Sequence, residues 1–244
     1  MPIKSSHILG IRLDQVNWEE LMDFFKQFLE QNKPKQIVTL NGEFIIQAQT
    51  NNDFRQVINS ADLVIPDSNN VLWAGRRSGL KLAETTPGSE LTLRLARLAA
   101  QKHSSIFLLG GRDDVPKRAG KFLSSYAPGC RIAGYSNGEF DNPELVDEVA
   151  ASKADIVLVA FGAPKQDIWI ARNKQATGAK ILVGVGGTLD MLAGVLPRAP
   201  YLFRFLCLEW LWRLMIQPSR WRRTWQALVV FPWLVLTRHN SVEQ

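Results

Sequence analysis

Four short apolar runs constrain this chain more than any other feature. They are SIFLLGG (105–111), RIAGYS (131–136), DIVLVAFG (155–162) and KILVGVGG (180–187). Helix-length segments at 114–126, 143–153 and 166–176 separate them. A strand that is apolar without interruption is buried on both faces, and strands that return through helices pair in parallel. The pattern predicts an α/β fold: a doubly wound, mostly parallel, Rossmann-like sheet. QIVTLN (36–41) and DLVIPD (62–67) read as two further strands. NWEELMDFFKQFLEQN (17–32) reads as an amphipathic helix, with Asn17 as its cap and Glu20 three residues on. GEFIIQAQTN and PGSELTLRLARLAAQKH (87–103) read as two more helices.

The chain changes character near residue 198. Between Arg198 and Arg238 stand seven arginines, no lysine and one acid, Glu209, which together match the whole net charge of +6. Five of the eight tryptophans lie there as well. This predicts an α/β domain over 1–197 and a basic, aromatic, helical appendage over 198–244. No run reaches the ~18 apolar residues that span a bilayer, and MPIKSSHILGIRLDQ has no apolar core of a signal peptide. Cys130 and Cys207 have no paired spacing, so neither a disulfide framework nor a zinc site is expected.

In open α/β sheets ligands bind outside the carboxyl ends of the strands. Here those ends read TLN (39–41), PD (66–67), GGRDD (110–114), FGAPKQD (161–167) and GVGGTLD (184–190). Their glycines, among them Gly110, Gly111, Gly162, Gly186 and Gly187, either let backbone approach a phosphate or only make tight turns. Asp67 ends an apolar strand and suits a general base toward a hydroxyl, or else an Asx turn or helix cap. Thr39 and Asn41 share its rim if the two strands are neighbours, although Asn41 can equally cap the helix that follows. Lys165 beside Gln166 could meet a phosphate or remain a solvated loop lysine. Asp190 could hold a sugar hydroxyl or sit in a first helical turn. There is no GxGxxG in the first βα turn and no GxxxxGK[ST] anywhere. That disfavours the alternative of a Rossmann-type oxidoreductase and also a P-loop enzyme. Arginines among aromatics also suit RNA, but these lie among long aliphatic runs, so no nucleic-acid partner is expected. No Ser/His/Asp arrangement, DxD pair or HExxH occurs, and no metal or other cofactor is expected.

Read in order, TLN, PD, PGSEL (87–91), LLGG (108–111), FGAPKQDIWI (161–170), GVGGTLDMLAGVLPRAP (184–200) and LEWLWRLMIQPSRWRR (208–223) resemble the WecG/TagA/CpsF glycosyltransferases, glycosyltransferase family 26. The resemblance covers nearly the whole chain. It implies an inverting, metal-independent transferase that moves an N-acetylhexosamine, typically N-acetylmannosamine or its uronic acid, from a UDP-sugar. The implied acceptor is a sugar linked to polyprenyl diphosphate at the inner membrane face. By position, Asp67 matches the base, and Thr39, Asn41 and Gln166 match active-site polar residues. Arg213, Arg220 and Arg223 match appendage arginines that close over the site. Where family members carry an arginine and then GxDL, this chain has Thr85 and Glu90. The expected protein is cytoplasmic and peripheral on an anionic membrane surface, its tail lying on lipid or in a homo-oligomer interface.

Overall fold

The computed structural model describes residues 3–197, 200, 203 and 209–238. The chain opens with a hairpin that its sequence did not announce: β1 (Ser5–Ile8) pairs antiparallel with β2 (Ile11–Asp14). Its two-residue turn, Leu9–Gly10, has positive φ at both positions, 52° and 75°. Such turns match the twist of a hairpin, but they normally carry Asn or Asp beside the glycine.

Helix α1 (Trp18–Glu30) follows, closed by a complete capping box between Asn17 and Glu20. Then come β3 (Lys35–Leu40), α2 (Gly42–Ala48), α3 (Asn52–Ser60), β4 (Leu63–Pro66), α4 (Asn69–Arg77) and α5 (Gly88–Gln101). The second half runs β5 (Ser105–Leu109), α6 (Val115–Tyr126), β6 (Arg131–Ser136), α7 (Glu144–Ser152), β7 (Ile156–Val159), α8 (Lys165–Thr177), β8 (Ile181–Gly184) and α9 (Thr188–Leu192). The six strands β3 to β8 form one parallel sheet in the order β4-β3-β8-β7-β5-β6.

The central strands are buried on both faces, and their residues alternate between two layers. Ile37, Leu63, Ile65, Ile156, Leu158, Ile181 and Val183 face α1, α5, α6 and α9. Val38, Leu40 and Val64 face the hairpin with α2, α3 and α4, while Val157, Val159 and Leu182 face α7 and α8. Strand β3 therefore leads into a helix on one face, and its neighbour β8 leads into a helix on the other. Adjacent strands whose helices depart to opposite faces open a crevice between them at their carboxyl ends. The amino ends hold ion pairs instead, with Arg12 on Asp14 and both Lys35 and Lys174 on Asp62.

The first helix of the described part of the tail is α10 (Glu209–Ile216). A 3-10 turn (Pro218–Arg220), α11 (Trp221–Trp225), a π turn (Gln226–Val230) and α12 (Phe231–Thr237) follow without a break. Phe231 and Val235, one helical turn apart, are buried in the same cluster as α2, α3 and α4. The end of the tail thus packs as part of the core of the α/β domain. The expected boundary at 197/198 falls beside residues outside the described ones. Among the described residues, no helix is long and apolar enough to cross a membrane.

Candidate active site

Asp67 stands where the register of β3 and β4 puts it. Thr39 lies opposite Ile65 and Leu40 opposite Pro66, and the Asp67 amide continues the ladder onto the Leu40 carbonyl at 2.8 Å. Thr39, Asn41 and Asp67 therefore occupy one rim. The loop from α4 to α5 is clamped to the same strand end, because Thr86 donates both its amide and its hydroxyl to the Pro66 carbonyl. The clamp places Gly88 so that its amide donates to Asp67 Oδ1 at 2.7 Å. Gly88 is the first residue of a 14-residue helix, and a helix N-terminus favours a negative partner.

Gly88 also marks the centre of the site. A Cβ built on it would lie 3.8 Å from Asp67 Oδ1, Thr39 Oγ1 and Thr188 Oγ1 alike. Three side-chain oxygens, from the ends of β3 and β4 and the turn after β8, thus converge on one small space. Thr39 is held there by donating its hydroxyl to the Gly184 carbonyl at 3.1 Å. Thr188 is 4% exposed and was not among the residues singled out from the sequence. Its signal was present, a hydroxyl residue on the first turn of a helix after GVGG, but Asp190 drew the attention in that stretch.

The remaining expected residues divide by environment. Asn41 caps α2, its Oδ1 accepting from the Phe44 amide at 3.1 Å. One lone pair of its acceptor is thereby used in the fold. Gln166 is 1% exposed and reaches the β8 turn from the opposite face of the sheet, its Oε1 accepting from the Gly186 amide at 3.0 Å. Gly184 must be glycine for this to fit, since a Cβ there would collide with both Gln166 and Asp167. Asp190 lies in the first turn of α9, half-buried, and its carbonyl accepts the amides of Val195 and Leu196.

Farther along the rim, Gly110 and Gly111 both have positive φ, 93° and 92°, so turn geometry alone accounts for glycine at these positions. Gly162 and Gly186 share that handedness, and Gly187 precedes α9. Lys165 is exposed, with its ammonium 5.7 Å from the centre of the Phe140 ring, and Phe140 meets Phe161 edge to face. This leaves a small aromatic floor with the exposed Lys165 cation beside the glycine turns.

The tail crosses the rim from above. Arg223 Nε lies 3.4 Å from Glu43 Oε1, in the first turn of α2 and two residues beyond Asn41. Asn70, three residues after Asp67, donates to the Ala227 carbonyl in the π turn at 2.7 Å. Extra carbonyls exposed by a π turn need such donors. Arg220 is half-buried on the same segment. The side chain of Arg213 lies outside the described residues. Glu90, where the family pattern has Asp, is taken up by Arg94 at 2.9 Å, and Arg94 stacks over Trp18. Thr85 is half-buried in the clamped loop.

A cleft of about 580 Å³ lies elsewhere, on α3 between Asn52, Arg55, Gln56, Asn59 and Ser60. It is an open groove that includes none of the converging groups. The carboxylate of Asp67, the hydroxyls of Thr39 and Thr188 and the N-terminus of α5 meet at the crevice instead.

A carboxylate and two hydroxyls converge at the crevice of a doubly wound sheet, with Arg223 of the tail paired to Glu43 on the same rim. The chain belongs to the glycosyl transferase WecG/TagA/CpsF family, whose pattern matches residues 6–243. It is 36% identical over 197 residues to the N-acetylglucosaminyldiphosphoundecaprenol N-acetyl-beta-D-mannosaminyltransferase of Bacillus spizizenii, covering 80% of this chain and 77% of that one. It is 32% identical over 221 residues to a protein of the same name from Staphylococcus aureus, covering 88% and 85%.

Proposed function

We propose that the protein transfers an N-acetylhexosamine from a UDP-sugar, with inversion, to a sugar carried on polyprenyl diphosphate during synthesis of a cell-surface polysaccharide. The names of both relatives point to N-acetylmannosamine as the sugar moved and to N-acetylglucosaminyl-diphosphoundecaprenol as the acceptor. The observation that carries the reading is the convergence of Asp67, Thr39 and Thr188 around Gly88. Asp67 takes the proton from the acceptor hydroxyl as its oxygen bonds to the anomeric carbon, and the bond to UDP breaks on the opposite face. Thr39 and Thr188 orient the sugar hydroxyls. The diphosphate of the donor lies along the turns at Gly110, Gly162 and Gly186, within reach of Lys165, and Asp190 holds a sugar hydroxyl. No metal is assigned a role. Arg220 and Arg223, from the tail, offset charge on the leaving diphosphate, and arginine suits such paired contacts.

The test is a screen of UDP-sugars against synthetic polyprenyl-diphosphate-N-acetylglucosamine. Transfer of N-acetylmannosamine with inverted anomeric configuration is expected. Transfer of a different hexosamine would locate the change at Glu90 and Thr85, and no transfer from any UDP-sugar would count against the donor class.

The acceptor's lipid gives the outer face of the tail a task. Trp221, Trp225 and Trp233 are 57%, 57% and 61% exposed, and Leu228, Val229 and Leu236 continue the stripe on the side away from Phe231. Arg222 and Arg238 are exposed on the same segment. Amphipathic helices with this mixture settle on anionic bilayers, each basic residue adding about 1 kcal/mol near the surface. This supports a peripheral position on the inner face of the membrane. Replacing Trp221, Trp225 and Trp233 together by serine is expected to abolish co-sedimentation with vesicles of phosphatidylglycerol. Undiminished sedimentation of that variant would remove the stripe from membrane binding.

A further inference from the structure

Asp167 is a titratable group for which the transfer reaction, as described, has no use. Its carboxyl is wholly buried, and neither oxygen has a hydrogen-bond partner of ordinary geometry among the described residues. Its main chain is fixed, because Gln36 on β3 donates to the Asp167 carbonyl at 3.0 Å. Its side chain is fixed against the sheet. Asp167 Oδ1 and Gln166 Nε2 both lie closer than 3.0 Å to the point where a Cβ on Gly184 would stand. Burial pushes the Asp167 carboxyl up to about 7, and the Gln166 side chain and the residue's own amide oppose this more weakly.

No charge offers an alternative account. The elements packed against α8 are β3, β7, β8, α3 and α7. Their titratable groups are Lys35 on β3, Asp53 and Arg55 on α3, and Glu144, Asp147 and Glu148 on α7, with none on β7 or β8. Within α8 itself, Lys174 pairs with Asp62, Lys165 leans over Phe140 and Arg172 is exposed. None of them acts on the carboxyl of Asp167.

We propose that Asp167 is a positioning residue for sugar transfer: packed beneath Gly184 as the neutral acid, it keeps the neighbouring Gln166 side chain in place, and through it the Gly186 amide and the turn that carries Thr188 into the site. The inference rests on the transferase reading. No bond to substrate is made or broken at Asp167. Its ionisation places an unpaired charge behind the β8 turn, and that disorders the wall on which Thr39 and Thr188 are set.

Two measurements test this on the full-length protein. The first needs no activity. A buried acid with a raised pKa contributes stability that is complete below its unfolded value, 3.8, and is lost as pH rises through about 7. Asp167→Asn cannot ionise, so its melting temperature relative to wild type is expected to rise between about pH 5 and about pH 8. A difference equal at both pH values would overturn the buried acid whether or not the protein transfers sugar. The second is the pH profile of kcat with donor and acceptor saturating. The wild type is expected to lose turnover on the alkaline side, and in Asp167→Asn that limb is expected to move up by about one pH unit or more. Asp167→Ala, which leaves a space beside Gln166, is expected to lose about tenfold in kcat at the optimum, with KM for the donor little changed. An alkaline limb that stays in place in Asp167→Asn would reduce Asp167 to a packing residue.

Discussion

Asp67→Asn is expected to lower kcat by about 100-fold or more, roughly 2.7 kcal/mol of transition-state stabilisation, while UDP binding stays near wild type. The substitution is chosen for what it keeps. An asparagine Oδ1 still accepts the Gly88 amide, so the clamp between β4 and α5 survives. The side chain keeps its size, and Thr39 and Thr188 keep their places around Gly88. What is lost is the ability to take a proton from the acceptor hydroxyl. Calorimetric titration with UDP separates this loss from misfolding. A variant that turns over at the wild-type rate would remove Asp67 from the chemistry and return it to the role of a loop brace.

That prediction was within reach of the sequence because a strand end is a local feature. VIPD announces both an apolar strand and the acid that stops it, and parallel pairing then places Asp67 beside Thr39 and Asn41. The six-stranded sheet was legible for the same reason, since β4, β5, β7 and β8 are nearly continuous apolar runs bounded by glycine, proline or a charge. What escaped depends on contacts between distant segments. Asp167 follows Gln166 in a stretch that looks like an ordinary first helical turn, and only the fold shows that its carboxyl is sealed beneath Gly184. Asn41 shows the reverse case, because a cap role was readable from its place before GEF and the fold uses its oxygen that way. The hairpin was missed because Leu9–Gly10 is an unusual pair for its turn. Helices α3 and α4 were missed because they are short and carry few apolar residues.

The tail shows how far composition can carry an argument. Its charge and tryptophans marked it as a surface element, and the exposed stripe fits that. The same composition hid two residues that do the opposite. Phe231 and Val235 are as apolar as their neighbours, yet they are buried against α2 and α4 while Trp233 between them is 61% exposed. No periodicity argument over residues 227–236 separates them cleanly, because the π turn shifts the helical register just before Phe231.

Phe231 is therefore the residue whose loss is expected to free the tail. It is fully buried, and its ring carbons lie 3.1 and 3.2 Å from where a Cβ on Gly42 would stand, so the first turn of α2 is shaped around it. Truncating a buried phenylalanine to alanine costs about 3–5 kcal/mol. Because the tail is terminal and docks along one face, this cost is expected to fall on tail docking more than on the sheet. A docking equilibrium weakened by about 3 kcal/mol raises the open population by about 100-fold, so trypsin cleavage after Arg220, Arg222 and Arg223 is expected to rise by that order in Phe231→Ala. The α/β domain should stay resistant, since its core clusters against α1, α5, α6 and α9 and against α7 and α8 do not include Phe231. Activity should fall with docking, because Arg223 is held over the rim only while the π turn sits on Asn70 and α2. Conservative Phe231→Leu, which refills most of the space, is expected to restore much of both. Cleavage of Phe231→Ala no faster than wild type would mean that the Asn70 and Glu43 contacts hold the tail without its apolar anchor.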